Sequence, residues 1–155
     1  MADKLGIGST LPSFTLNLVD GGEAVVPKEN PEGYQIILFY RGHWWPFCRR
    51  QLVGFAKQKE ALDKLNATVI AASVDPIEQA KEVAGELNFP VAYAVTREIS
   101  DSLGAWWEER RQIMQPTEFI LGPDGKVVSS SYSDGPLARL DAEDVVGLIN
   151  FYEKK

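Results

Sequence analysis

The chain has 155 residues, 45% of them apolar and 25% charged, with a net charge of −6. That length suits one domain with a proper core, so residues 1–155 are read as a single unit. The acidic balance argues against a phosphate-binding surface and hence against nucleic acid, because the basic runs Arg49-Arg50 and Arg110-Arg111 are only two residues long.

No apolar run approaches the ~20 residues a membrane helix requires. The N-terminal Met-Ala-Asp-Lys-Leu-Gly-Ile-Gly-Ser has no signal-peptide core, so no membrane association is expected. One cysteine excludes a disulfide within the chain and fits a reducing cytoplasm. One histidine and one cysteine cannot assemble a zinc site from those residues alone, and neither a metal nor another cofactor is expected.

Residues 8–28 contain Phe14-Thr-Leu-Asn-Leu-Val19, the turn Asp20-Gly21-Gly22 and Glu23-Ala-Val-Val26, which predict a β-hairpin at the periphery. Gln35-Ile-Ile-Leu-Phe-Tyr40 is a continuous apolar run, as in a strand covered on both faces. A helix is predicted from Pro46 to Leu65, with Cys48, Leu52, Phe55, Ala56, Leu62 and Leu65 at helical spacing. Ala67 to Val74 is a second buried strand, and the three elements form a parallel crossover unit. Asp75-Pro76 predicts an N-cap and first-turn proline for a helix carrying Glu78, Ala80, Ala84 and Leu87.

Phe89 to Val95 is predicted as a third parallel strand, and Ile99 to Arg111 as a helix with Ile99, Leu103, Trp106 and Trp107 on its inner side. Thr117 to Leu121, the turn Pro123-Asp-Gly125 and Lys126 to Ser130 predict an antiparallel hairpin. A last helix starts at Asp141 and places Val145, Leu148, Ile149 and Tyr152 on one side. The fold class is therefore α/β, with one mixed sheet flanked by helices.

The chemistry centres on Cys48, in the segment Phe39-Tyr-Arg-Gly-His-Trp-Trp-Pro-Phe-Cys48. It falls in the first turn of the predicted helix, where unpaired N–H groups and the positive end of the helix dipole favour a thiolate. Its stripe with Leu52 and Phe55 equally suits a thiol packed in the core. Arg41 offers a positive charge for a thiolate or for a glutathione carboxylate, and an ordinary surface ion pair is its alternative. His43 offers proton transfer, against a merely solvated ring. Trp44, Trp45 and Phe47, with Trp106 and Trp107, predict either an apolar rim around the sulfur or a packed core edge or dimer surface.

These pieces together resemble the peroxiredoxin-like branch of the alkyl hydroperoxide reductase/thiol-specific antioxidant family. The likeness rests on Gly8-Ser-Thr-Leu-Pro12-Ser-Phe14, on the Cys48 loop, on Pro116-Thr-Glu-Phe119-Ile-Leu-Gly-Pro-Asp-Gly125 and on Tyr132-Ser-Asp-Gly-Pro-Leu-Ala-Arg139. It implies a thioredoxin-like, peroxiredoxin-type three-layer fold with a central mixed sheet and an N-terminal hairpin. Relatives read Arg-Gly-x-Trp-Cys-Pro-x-Cys in the loop, whereas Trp45 stands here in place of the first cysteine. The threonine and proline of true peroxiredoxins are replaced by Trp45 and Arg41, and Pro116 occupies the position of their arginine.

The resemblance also implies a cis peptide at Pro116, with Pro116 and Thr117 beside Cys48, and leaves Arg139 as a substitute for the missing arginine. The expected activity is that of a one-cysteine peroxidase, in which Cys48 reduces a hydroperoxide and becomes a sulfenic acid. An external thiol, glutathione or a thioredoxin-like protein, then restores it, and a homodimer is expected. Monothiol exchange with glutathione, and a redox-inert protein that binds partners through its aromatic rim, are the alternatives.

Overall fold

The computed structural model describes residues 3–28, 33–44, 46–135 and 140–154. In chain order the elements are β1 (Phe14–Leu18), β2 (Glu23–Val26), β3 (Tyr34–Phe39), α1 (Pro46–Lys57), α2 (Lys59–Lys64), β4 (Ala67–Ala72) and α3 (Ile77–Ala84). There follow β5 (Val91–Tyr93), α4 (Arg97–Ser102), β6 (Trp107–Glu108), β7 (Ile113–Met114), β8 (Thr117–Leu121), β9 (Val127–Tyr132) and α5 (Ala142–Glu153).

Seven strands form one mixed sheet in the order β2-β1-β5-β4-β3-β8-β9. All six residues of β3 are buried, as its unbroken apolar run requires of a central strand. β4 pairs with it in parallel and β8 antiparallel, so Ala72 and Thr117 both lie opposite Phe39. β5 extends the parallel part beside β4. The N-terminal hairpin joins the sheet itself, because β1 pairs antiparallel with β5.

Alternate residues of β3 feed two cores. Ile36, Leu38 and Tyr40 pack with Cys48, Leu52, Phe55, Leu62, Val145 and Ile149 beneath α1, α2 and α5. Ile37 and Phe39 pack on the other face with Leu16, Val26, Leu103, Met114 and Phe119. Each such large apolar side chain contributes about 1.5–3 kcal/mol by leaving water. The first core fixes the helix that carries Cys48.

Three expectations need correction. The helix predicted over Pro46–Leu65 is interrupted at Gln58, whose N–H reaches back only three residues to the Phe55 carbonyl at 3.1 Å. A new helix begins where Leu62 N–H meets the Gln58 carbonyl at 2.9 Å. The helix predicted for Ile99–Arg111 ends at Ser102, and Trp107 and Glu108 instead pair with Ile113 and Met114 in a small antiparallel hairpin. Asp75 does not cap α3, whose N-cap is Pro76 without a side-chain hydrogen bond.

Gly104 stops α4. At φ 72° it takes the left-handed conformation that only glycine adopts without strain. Its N–H donates to the Asp101 carbonyl at 3.1 Å, and Ala105 N–H to the Ser100 carbonyl at 3.1 Å, closing a Schellman motif. The Trp106-Trp107 pair, spaced like a helix face, therefore lies beyond the helix. Gly104→Ala is expected to lower the unfolding free energy by about 1–2 kcal/mol in urea titration, the cost of a Cβ in this conformation.

Candidate functional site

The sulfur sits where β3 hands over to α1. Pro46 opens the helix, where its lack of an N–H costs nothing, and Cys48 is the third helical residue. The side chain is fully buried, at 0% exposure. The Arg41 backbone N–H donates to Sγ at 3.2 Å, so the loop turns back to place a main-chain donor on the sulfur. Burial closes the sulfur to solvent.

Asp75 holds this loop. It is 3% exposed, and its Oδ2 accepts the His43 backbone N–H at 2.8 Å while Oδ1 lies 3.3 Å from His43 Nδ1. A carboxylate only accepts, so Nδ1 carries the proton and Nε2 is turned away from Asp75. On the other side, Arg49 Nε donates to the His43 carbonyl at 3.0 Å, and its guanidinium pairs with Glu86 at 2.9 Å. His43 is thus fixed through its N–H, its ring and its carbonyl by groups from two elements.

The Trp44 ring lies over Gly42, where a Cβ would come within 1.9 Å of Cζ3. It also meets the His43 ring edge-on, with centroids 5.4 Å apart. Glycine at this position is therefore a requirement of close approach rather than of backbone angle.

Arg41 is 5% exposed, and its guanidinium lies 3.8 Å from Glu108 Oε1. Burial pushes the Glu108 carboxyl up, but the N–H and guanidinium of Arg111, together with Arg41, outweigh that and hold it below the usual range. The Arg41 main chain thus serves the sulfur while its side chain is engaged by the β6–β7 hairpin.

Two buried groups were not foreseen. Tyr40, at 0% exposure, packs in the same core as Cys48. Burial pushes its phenol above the ordinary range. A side-chain hydrogen bond with Ser73 opposes this, the charges of Asp75 and Cys48 add to it, and Arg49 opposes it. Glu118, also at 0%, accepts from Gln51 Nε2 at 2.7 Å and from the Leu140 N–H at 3.1 Å. Gln51 Nε2 also lies 3.0 Å from the Leu140 carbonyl, and Gln51 is one turn beyond Cys48.

The remaining candidates are dispersed. Among the described residues the cis peptide bond is Val26–Pro27, so the expectation of a cis bond at Pro116 is incorrect. Pro116 runs straight into β8, its carbonyl accepting the Ser133 N–H at 2.9 Å. Thr117 is buried, and its hydroxyl donates to the Gln115 carbonyl at 3.0 Å instead of toward a substrate. Trp106 stacks under the Lys4 ammonium at 4.0 Å, and Trp107 packs against the opposite core from Cys48. Neither belongs to a rim around the sulfur. Trp45 and Arg139 lie outside the described residues, as does the side chain of Phe47. A cavity of about 460 Å³ is lined by Gln35, Ile37, Val26, Val69 and Phe89, toward the far end of β3 from Cys48.

Two outcomes follow from the clamp. Asp75→Ala is expected to lower stability by about 2 kcal/mol, the loss of hydrogen bonds to a buried charge, read from urea titration. Gly42→Ala must displace the Trp44 ring. Since the chain holds one histidine, the displacement is read directly as a shift of the His43 ring proton resonances in NMR.

The AhpC/TSA family model matches residues 7–130. A peroxiredoxin of Ignicoccus hospitalis is 28% identical over 138 residues, covering 81% of this chain and 57% of that protein. The chloroplastic 2-Cys peroxiredoxin BAS1 of Spinacia oleracea is 23% identical over 145 residues, covering 86% of this chain. The chain thus spans little more than half the length of either, 57% and 54%. The crystal structure of peroxidoxin BcpB from Mycobacterium tuberculosis matches with a TM-score of 0.80 at 17% identity, over 95% of this chain and 97% of that one. That likeness shows the thioredoxin-like, peroxiredoxin-type fold with its central mixed sheet. With the family model running from the N-terminal hairpin through β8 and into β9, the chain belongs to the AhpC/TSA family.

Proposed function

We propose that the chain is a one-domain, one-cysteine thiol peroxidase in which Cys48 reduces a hydroperoxide. The observation that carries this reading is the main-chain donor on a sulfur in the first turn of α1, 3.2 Å from Arg41 N. The family membership and the peroxiredoxins among its relatives support it. Cys48 is the nucleophile, and the sulfenic acid it forms has no second cysteine within the chain to resolve it. An external thiol, glutathione or a thioredoxin-like protein, therefore forms a mixed disulfide that a second thiol displaces. Such a cycle fits a reducing cytoplasm, and a homodimer is proposed by analogy with the family.

Complete burial of the sulfur favours a small oxidant over a tripeptide, so exchange with glutathione disulfide ranks below peroxide reduction. His43, fixed by Asp75, stands at the loop that a substrate must displace, and Arg41 contributes its amide. Trp44, half-exposed, supplies apolar surface at the same loop.

The test is direct. Hydrogen peroxide or cumene hydroperoxide is expected to add one dimedone per chain, located at Cys48 by peptide mass, and none to the Cys48→Ser variant. Rapid glutathionylation without dimedone labelling sinks the peroxidase reading.

A further inference from the structure

At the far end of β3 from Cys48, we infer that the cavity beside β4 is a binding site for a small apolar molecule carrying a secondary amide.

The cavity lies where the sheet stops short. β4 pairs with β3 along its whole length but with β5 only at Ala71 and Ala72. The remaining residues of that edge, Ala67, Thr68, Val69 and Ile70, stand in the wall of the cavity, whose volume is about 460 Å³. The cause is written in the sequence. Ala71 N–H donates to the Pro90 carbonyl at 3.1 Å, and the next bond of a parallel ladder runs from the N–H of residue 90 to the Val69 carbonyl. Proline has no N–H to give. The ladder ends there, and the Val69 carbonyl has no backbone donor among the described residues.

Gln35 supplies the complementary group. It is 7% exposed, and its Oε1 accepts the Lys28 N–H at 2.7 Å, while its Nε2 has no hydrogen-bond partner among the described residues. A main-chain N–H only donates, so Lys28 fixes which end of the amide is oxygen and leaves the donor over. Lys28 and Thr68, the cross-strand neighbour of Gln35, both line the cavity and place this side chain in its wall. Buried polar groups are nearly always paired, yet one acceptor and one donor here border the same space.

Val26, Ile37, Leu62 and Phe89 make much of the remaining wall hydrocarbon. A secondary amide with an alkyl group on each side matches all of this: its N–H suits the Val69 carbonyl, its C=O suits Gln35 Nε2, and its chains meet the apolar walls. A carboxylate offers acceptors alone. The volume falls within the roughly 300–1,000 Å³ of small-molecule sites. From Gln35 to Tyr40 the strand advances about 16 Å, at ~3.3 Å per residue, so this site is remote from the sulfur and independent of the peroxidase reading.

The test is titration of the full-length protein with N-butylhexanamide, followed by calorimetry and amide NMR. Saturable binding of one molecule per chain is expected. The Gln35 side-chain amide and the Val69 and Ile70 N–H resonances should shift, while that of Arg41, beside the sulfur, stays in place. Butyl hexanoate keeps the shape and the carbonyl but lacks the N–H, and is expected to bind about tenfold more weakly, the scale of one lost hydrogen bond. Gln35→Met, which removes the donor, should cost about tenfold as well. Thr68→Phe, at an exposed strand position, puts a ring in the opening and should abolish binding. Absence of saturable binding to the wild-type protein overturns the site, and so does undiminished affinity in either folded variant. Equal affinity for the ester overturns the amide assignment.

Discussion

The hydrogen bond from Arg41 N–H to Cys48 Sγ closes the turn between the central strand and the helix that follows it. Because β3 is buried along its whole length, its end point is fixed by the sheet, and the amide one residue past Tyr40 has little freedom. The sulfur is therefore addressed by a group whose position is set by seven strands, not by a flexible side chain. Asp75, emerging from the neighbouring parallel strand, secures the far side of the same turn through His43. Ends of adjacent parallel strands are where open α/β sheets place their chemistry, and both contributors lie there.

This arrangement accounts for how a family scaffold without its usual helpers can keep a main-chain donor on its cysteine. The main-chain donor and the helix terminus do not depend on any side chain, so replacing the surrounding threonine and arginine leaves them in place. Under the proposed peroxidase reading, what those side chains supply in true peroxiredoxins, a charge and a hydroxyl near the peroxide, falls to the remaining residues. The guanidinium of Arg41 is drawn toward Glu108, on the β6–β7 hairpin, instead of standing alone at the sulfur.

The sequence was most legible where local chemistry and packing agree. The strand–loop–helix around Cys48, the proline at the first helical position, the hairpin turn at Gly125 and the Asp141 cap are each written in a few adjacent residues. Apolar spacing alone extends a helix over Ile99–Arg111, but Gly104, in the left-handed conformation, ends it. Asp75 has the local pattern of a cap, Asp-Pro before an acidic turn. Its true partners lie 32 residues earlier, where no local signal reaches. Tyr40, Gln51 and Glu118 were invisible for the same reason: a tyrosine ending an apolar run, or a glutamate in a strand, reveals its role only once the facing element is known.

The buried Glu118 has a mechanical meaning. Gln51, the next turn after the sulfur, shares that carboxylate with the main chain at Leu140, just before the residue that caps the C-terminal helix. The first turns of α1 cannot lift away to admit a larger molecule without parting from the central sheet and from the root of α5 together. Opening the thiol and loosening the end of the chain are thereby geared to each other, through a joint made of one acid and one amide.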